Sequence, residues 1–186
     1  MTQQRENRKK LTVQQMAVTA VMTAVTCVLA PLAFPIGPVP ISLGTFAIYL
    51  SVYVLDLKQA SVSYLIYLLI GLAGVPVFSG FGSGPGRLLG PTGGYLIGFL
   101  PLLMIAGIFI DRWADKRLLC AIGLVLGTAV CYAFGTAWLA YQAAMNIPAA
   151  LMNGVIPFLP GDMMKICIIL LIGPVIRRQL RNAVMR

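Results

Sequence analysis

The chain has 186 residues, of which 59% are hydrophobic and only 10% are charged, and its net charge is +9. A soluble domain carries roughly a quarter charged residues, so this chain has too little polar surface to cover a water-soluble globule. Its excess apolar surface must face lipid, which predicts an all-α integral membrane protein of about six transmembrane helices.

The predicted spans follow one another along the chain. We place them at about 12–30, 42–55, 59–75, 94–111, 118–145 and 161–178. The first apolar run continues to Phe34, which favours an uncleaved transmembrane helix over a secretory signal. The second span is short for a full crossing, and the apolar loop before it, with four prolines between Pro31 and Pro40, is expected to extend it. A glycine- and proline-rich segment (76–93) follows the third span, and a mixed segment (146–160) follows the fifth.

The basic residues predict the orientation of the chain. If the N-terminus lies inside the cell, the two tails and the turns at 56–58 and 111–117 face the cytoplasm. These segments hold twelve of the 14 Lys and Arg residues. The bias predicts that both termini are cytoplasmic. The basic residues do not alternate with aromatic ones as a nucleic-acid groove requires, so no nucleic acid is expected as a partner.

The sequence lacks residues and motifs that metalloenzymes, His-dependent hydrolases and ATPases require. There is no histidine, and the four cysteines stand alone in apolar stretches without a CxxC pair. These features disfavour metal sites and His-dependent hydrolases, and we expect no metal and no cofactor. The chain also lacks the GxxxxGK[ST] pattern, so it is not expected to hydrolyse ATP itself.

Small residues recur at a spacing of four, which lets helices approach closely in lipid. Gly90, Gly94 and Gly98 form one such series, and Gly123 and Gly127 form another. For these glycines we predict packing within the bundle. Ala17, Ala20 and Ala24, at spacings of three and four, form a similar small-residue stripe on the first helix, which either packs internally or faces another protein.

Three charged residues lie outside the cytoplasmic clusters: Arg87, Asp162 and Lys165. A charge at the centre of a bilayer costs roughly 2.5–3.5 kcal/mol on insertion scales, so each is a candidate functional residue. Asp162 and Lys165 are three apart and project from one face of a helix, where they offer an acceptor and a donor to a polar ligand. The structural alternative is an N-capping aspartate paired with Lys165.

Arg87 ends a glycine-rich segment, Phe78–Arg87, whose backbone can come close to a ligand. Its planar guanidinium suits two-point recognition of a carboxylate. The alternative is an arginine at the outer headgroup level that binds lipid phosphate.

Three runs of the sequence resemble a known family. They are GLAGVPVF at 71–78, GRLLGPTGGY at 86–95 and PFLPGDMMK at 157–165. They are similar to the biotin-specific S component of energy-coupling-factor (ECF) transporters, the BioY family. The resemblance implies a multi-pass protein of the cell membrane, a six-helix bundle of the S-component type. It also implies one substrate-binding domain over residues 1–186, with basic cytoplasmic tails at 1–10 and 179–186.

The resemblance also implies a ligand and partners. Such a protein binds biotin from outside and docks onto a transmembrane coupling (T) protein and two ABC ATPases. Ala20 and Ala24 match the small-residue stripe that packs against the coupling protein in the family. The lack of an ATPase motif in this chain fits that division of labour.

The chemistry of biotin suits the charged residues. Asp162 and Lys165 offer the acceptor and donor that the ureido ring needs, and Arg87 with the glycine-loop N–H groups suits the valerate carboxylate. Ser79, Asn153 and Tyr95 are expected to complete the pocket. One departure is Gly44, where related sequences often carry Gln; Thr45 or Ser42 is the candidate replacement here.

Two other functions compete with this interpretation. A stand-alone vitamin facilitator or channel needs a continuous polar path, whereas the polar groups here cluster near one side. An intramembrane enzyme that uses Asp162 and Lys165 as acid and base lacks a histidine, a nucleophile beside a base and metal-ligand spacing.

Overall fold

The computed structural model describes residues 12–34 and 39–184. Within these ranges the chain forms α-helices joined by short turns and two longer loops. The helices are α1 (Val13–Leu29), α2 (Gly44–Val54), α3 (Leu57–Leu72), α4 (Pro85–Leu89), α5 (Gly93–Trp113), α6 (Arg117–Gln142), α7 (Ile147–Gly154) and α8 (Leu159–Val184). The predicted tail at 1–10 lies outside the described residues.

The six predicted spans coincide with helices α1, α2, α3, α5, α6 and α8. Helices α5 and α6, with 21 and 26 residues, and the 22-residue part Leu159–Leu180 of α8 are long and apolar enough to cross a membrane. Helices α1, α2 and α3 are apolar but shorter. The 11 residues of α2 extend about 16 Å, roughly half the thickness of a bilayer core. The prediction of a short second span is therefore confirmed, whereas the cytoplasmic orientation of the termini stays a prediction.

The segment before α2, predicted from the sequence to be a loop, contains a small hairpin. Strand β1 (Ala33–Phe34) pairs antiparallel with β2 (Ile41–Ser42). The Gly80 N–H, within a 3₁₀ turn at Ser79–Phe81, donates to the Pro31 carbonyl at 3.0 Å. The hairpin and the glycine-rich loop are thus joined at one end of the bundle.

Helices α5 and α6 pack against each other through glycines. A Cβ on Gly94 would lie 2.2 Å from Trp138 Cβ, and a Cβ on Gly98 would lie 3.0 Å from the Cys131 carbonyl oxygen. From the other helix, a Cβ on Gly127 would lie 3.0 Å from the Leu102 carbonyl oxygen. The spacing therefore predicted this contact correctly for α5 and α6. Gly90, in contrast, lies between α4 and α5 and belongs to neither helix.

Helix α1 packs on α3 through hydroxyl groups. The side chains of Thr23 and Ser63 are hydrogen-bonded at 2.9 Å, and Thr19 and Thr26 are buried on the same face of α1. Ala17, Ala20 and Ala24 are exposed. The alanine stripe therefore points away from this bundle.

A buried arginine joins three helices at the end opposite the loops. Arg177, only 6% exposed, lies about 22 Å along α8 from Asp162. Its guanidinium lies 2.6 Å from Asp111 and 3.8 Å from Asp56. The second oxygen of Asp111 accepts the Leu57 N–H at 3.1 Å, at the first residue of α3. These contacts tie the ends of α5 and α8 to the start of α3.

Candidate functional site: a pocket beneath the two loops

A cavity lies beneath the hairpin and the glycine-rich loop, bounded by α5, α6 and the start of α8. The space between its walls is about 660 Å³, and this figure includes the open solvent at its mouth. Most of its wall is apolar. Its aromatic side chains are Phe78, Tyr95, Phe99, Tyr132 and Phe158. The chemistry of the wall therefore suits a small ligand with an apolar body.

Asp162 supplies the acidic group of the cavity. It lies in the first turn of α8, where the helix dipole favours a negative charge, and it is 3% exposed. Lys165 donates to its Oδ1 at 2.9 Å, and the Tyr132 hydroxyl donates to its Oδ2 at 2.6 Å. A buried carboxylate is tolerated when it is paired and hydrogen-bonded in this way. Each oxygen keeps acceptor capacity for a ligand N–H.

Lys165 is directed at protein atoms and is not one of the residues that line the cavity. Its ammonium donates to Asp162, to the Ser42 carbonyl at 2.8 Å and to Thr45 Oγ1 at 3.0 Å. An ammonium has three donors, so all three are used. Lys165 thus joins α8 to the start of α2, and a direct contact with ligand requires it to exchange one of these bonds.

Arg87 also lines the cavity, from α4. Its side chain lies across Gly82, because a Cβ there would be 2.1 Å from Arg87 Nε. No carboxylate among the described residues lies within ion-pair distance of this guanidinium. Arg87 is therefore a partly buried cation with its donors available to an anion.

The remaining predicted residues differ in their positions. Ser79 lines the cavity. The ring of Tyr95 also lines it, but its hydroxyl donates to the Gly154 carbonyl at 2.7 Å. Asn153 is not one of the lining residues, and its amide donates to the Ala149 carbonyl at 2.8 Å within α7. The arrangement thus brings together Arg87, Asp162, Ser79 and the Tyr95 ring, and leaves Asn153 outside.

Tyr132, which lines the cavity and donates to Asp162, was not among the site residues predicted from the sequence. It is one of seven tyrosines in an apolar chain, and helical periodicity alone does not show which tyrosine meets a carboxylate from another helix. Thr45 and Ser42, named as replacements for the missing Gln, do line the cavity and hold Lys165. Among the described residues, no group of three or more His, Cys, Asp or Glu side chains could hold a metal ion.

The fold and the cavity first define a class. The chain is a multi-pass helical membrane protein with the S-component fold. It superposes with a TM-score of 0.84 and 29% identity on a crystal structure described as the S-component for biotin from an ECF-type ABC transporter. The alignment covers 91% of this chain and 95% of that one.

Sequence relatives narrow the class to a family. The chain is 40% identical over 112 residues to a probable biotin transporter BioY of Pyrococcus horikoshii, a match to 60% of this chain and 64% of the relative, just under two thirds of its length. It is 34% identical to the biotin transporter BioY of Thermotoga maritima, over 66% of this chain and 72% of that protein. It is 33% identical to the biotin transporter BioY2 of Lactococcus lactis, over 69% and 71%.

The BioY family profile matches residues 2–182. The chain belongs to the BioY family. The resemblance drawn from the three sequence runs is thereby confirmed.

Proposed function

We propose that this chain is the biotin-binding S component of an ECF-type ABC importer. The observation that carries the proposal is a mainly apolar cavity wall that also carries a carboxylate acceptor, Asp162, and the guanidinium of Arg87, which pairs with no carboxylate of the described residues. Relatives that are named biotin transporters, and a solved S component for biotin, support the same ligand.

The two ends of biotin need opposite chemistry. The ureido ring presents two N–H donors, and the Asp162 carboxylate is an acceptor with capacity left after Tyr132 and Lys165 have bound. The valerate presents a carboxylate, which a guanidinium binds through two parallel hydrogen bonds. The sulfur-containing ring between them is apolar and fits against the aromatic wall. We therefore assign the ureido ring to Asp162 and the valerate to Arg87.

The partners belong to the same proposal. The chain has no GxxxxGK[ST] motif, so the energy for uptake has to come from other subunits. We assign that role to a transmembrane coupling protein and two ABC ATPases. Ala20 and Ala24, exposed on α1, offer the coupling protein a surface that its helices can approach closely.

A stand-alone facilitator receives no comparable support. Below the cavity, towards Arg177, the described core contains the fully buried side chains of Tyr53, Leu103 and Ile110. A solute on that route would have to displace packed side chains.

Calorimetric titration of biotin into the detergent-purified full chain tests the proposal. We expect one-to-one binding by the wild type and its loss in Asp162→Asn and Arg87→Ala. Asp115→Asn and Arg178→Ala are matched controls, because these two residues form an exposed ion pair outside the cavity, at 3.1 Å. No binding by folded wild-type protein would sink the biotin assignment, while equal losses in the control variants would sink the assigned site.

A further inference from the structure

Helix α4, which carries Arg87, is held in place by two side chains of α6. The last carbonyls of a helix have no partner within it. Trp138 Nε1 donates to the Gly90 carbonyl at 2.9 Å, and Gln142 Nε2 donates to the Leu89 carbonyl. Trp138 and Gln142 lie four residues apart and so share one face of α6. Together they supply donors to the last carbonyl of α4, at Leu89, and to the carbonyl of the next residue, Gly90, which also accepts the Gly93 N–H at 3.0 Å.

Helix α4 is short, and the backbone before it is anchored by the Gly84 N–H, which donates to the Gly71 carbonyl at 2.8 Å. It has five residues, none of them buried, and a helix this short is not stable by itself. The other side-chain bond to it is from Thr92 Oγ1 to the Arg87 carbonyl, at 3.2 Å. The position of α4 therefore depends on that backbone bond, on its contacts with α6 and on the start of α5.

Trp138 packs closely against α5. A Cβ on Gly94 would lie 2.2 Å from Trp138 Cβ, so the indole is seated directly against α5. Neither Trp138 nor Gln142 is among the residues that line the cavity, whereas Arg87 and Thr92 are. The two donors thus approach α4 from outside the pocket.

We propose that Trp138 and Gln142 are positioning residues for the carboxylate end of the ligand. They act through α4: by fixing the carbonyls of residues 89 and 90, they fix the direction of the Arg87 guanidinium, whose two-point contact with a carboxylate depends on geometry. The inference rests on the proposed function, since it names the side chains that set the affinity of the same pocket for the anionic end of biotin.

Paired ligands test the inference. The affinities of Trp138→Phe and Gln142→Leu are measured by calorimetry for biotin and for biotin methyl ester, which has no carboxylate charge. We expect each variant to bind biotin about fivefold to tenfold more weakly, because one of the two side-chain hydrogen bonds that hold the end of α4 against α6 is lost. Binding of the ester should be unchanged, which also shows that the variants are folded. Trp113→Phe is the matched control, because Trp113 ends α5 at the other end of the helix, and it should change neither affinity.

A double-mutant cycle supplies a second readout. In an Arg87→Ala background, Trp138→Phe should cause no further loss of biotin affinity, because the residue through which it acts is gone. An equal loss for both ligands, or a full additional loss in the Arg87→Ala background, would overturn the positioning role. If folded wild-type protein does not bind biotin, the proposed function fails and this inference fails with it. If the wild type binds and the variants match it, only the positioning role fails.

Discussion

At the scale of single residues, the candidate acceptor depends on a tyrosine from another helix. Asp162 is bonded through one oxygen to Lys165 and through the other to Tyr132, at 2.6 Å. Hydrogen bonds to a charged group stabilise it more than neutral ones do. The Tyr132 hydroxyl therefore stabilises the carboxylate and fixes its direction.

Replacing Tyr132 by Phe should weaken biotin binding about tenfold, since a charge-assisted bond is lost while the ring stays in the cavity wall. The measurement is the dissociation constant by calorimetry. Tyr141→Phe is the matched control, because Tyr141 lies on the same helix and is 81% exposed. Equal affinities for wild type and Tyr132→Phe would show that Asp162 does not need this donor.

Gly82 should matter for the opposite end of the ligand. An alanine Cβ there would lie 2.1 Å from Arg87 Nε, so the Arg87 side chain must move. The backbone at Gly82 has φ −76°, which alanine adopts freely. We expect Gly82→Ala to reduce biotin affinity about tenfold, by displacing a charged contact, with no loss of thermal stability.

Gly86→Ala is the control for that change, because a Cβ on Gly86 meets no atom within 4 Å. Its biotin affinity should equal that of the wild type. A loss in both variants would attribute the effect to backbone freedom of the loop, and a loss in neither would show that the position of Arg87 is not critical.

The sequence predicted which charged residues belong to the site, but not all of the side chains that bind them. Arg87 and Asp162 stood out because charges are rare in an apolar chain, and both line the cavity. The three-residue spacing also predicted the pair between Asp162 and Lys165. The partners of Lys165 on the segment before α2, and the donor Tyr132, come from positions far apart in the chain. Which of several similar side chains meets a charge is decided by helix rotation and tilt, which a single sequence does not contain.

At the scale of helices, the contact of α5 with α6 depends on backbone-to-side-chain fit. Gly94→Ala would place a methyl group 2.2 Å from Trp138 Cβ and 2.8 Å from the Phe134 carbonyl oxygen. Overpacking of this kind costs about 1–3 kcal/mol, more than the roughly 1 kcal/mol that alanine gains over glycine in helix propensity.

We therefore expect Gly94→Ala to lower the midpoint of thermal unfolding in detergent. Ala129→Val, on an exposed position of α6, also adds volume and should leave the midpoint nearly unchanged. A stability of Gly94→Ala at or above that of the wild type would mean that the two helices separate at little cost.

The six apolar helices were predictable because a helix in lipid satisfies its backbone hydrogen bonds internally and presents mostly apolar side chains, so each appears as a long, mainly apolar run. The hairpin at 33–42 was not, because its strands have two residues each and show no alternation. Helix α7 lies within the segment 146–160, which was predicted to be mixed. Two local signals for its start were present in the sequence: Asn146, whose side chain accepts the Ala149 N–H at 3.0 Å, and Pro148 in the first turn.

At the scale of the whole molecule, the buried charged groups of the described residues divide between two ends. The proposed ligand cavity lies beneath the loops, and the Arg177–Asp111 pair closes the other end, with packed apolar residues between them. The lateral surface is left for lipid and for the proposed partner subunits. The alanine stripe on α1 is a part of that surface which larger side chains would change directly, because its residues are exposed and small.

Ala24→Phe should therefore block assembly with the coupling protein and leave biotin binding intact. A phenylalanine keeps helices from approaching as closely as a small residue allows, and Ala24 is not among the residues that line the cavity. The measurement is copurification of the four-subunit complex from cells that express the coupling protein and both ATPases, with calorimetry on the isolated variant. Val62→Phe is the control, since Val62 is 42% exposed on α3 and a larger side chain there meets lipid. Normal copurification of Ala24→Phe would show that the coupling protein binds elsewhere, and loss of both complexes would show that α1 and α3 together form a wider interface than the stripe alone.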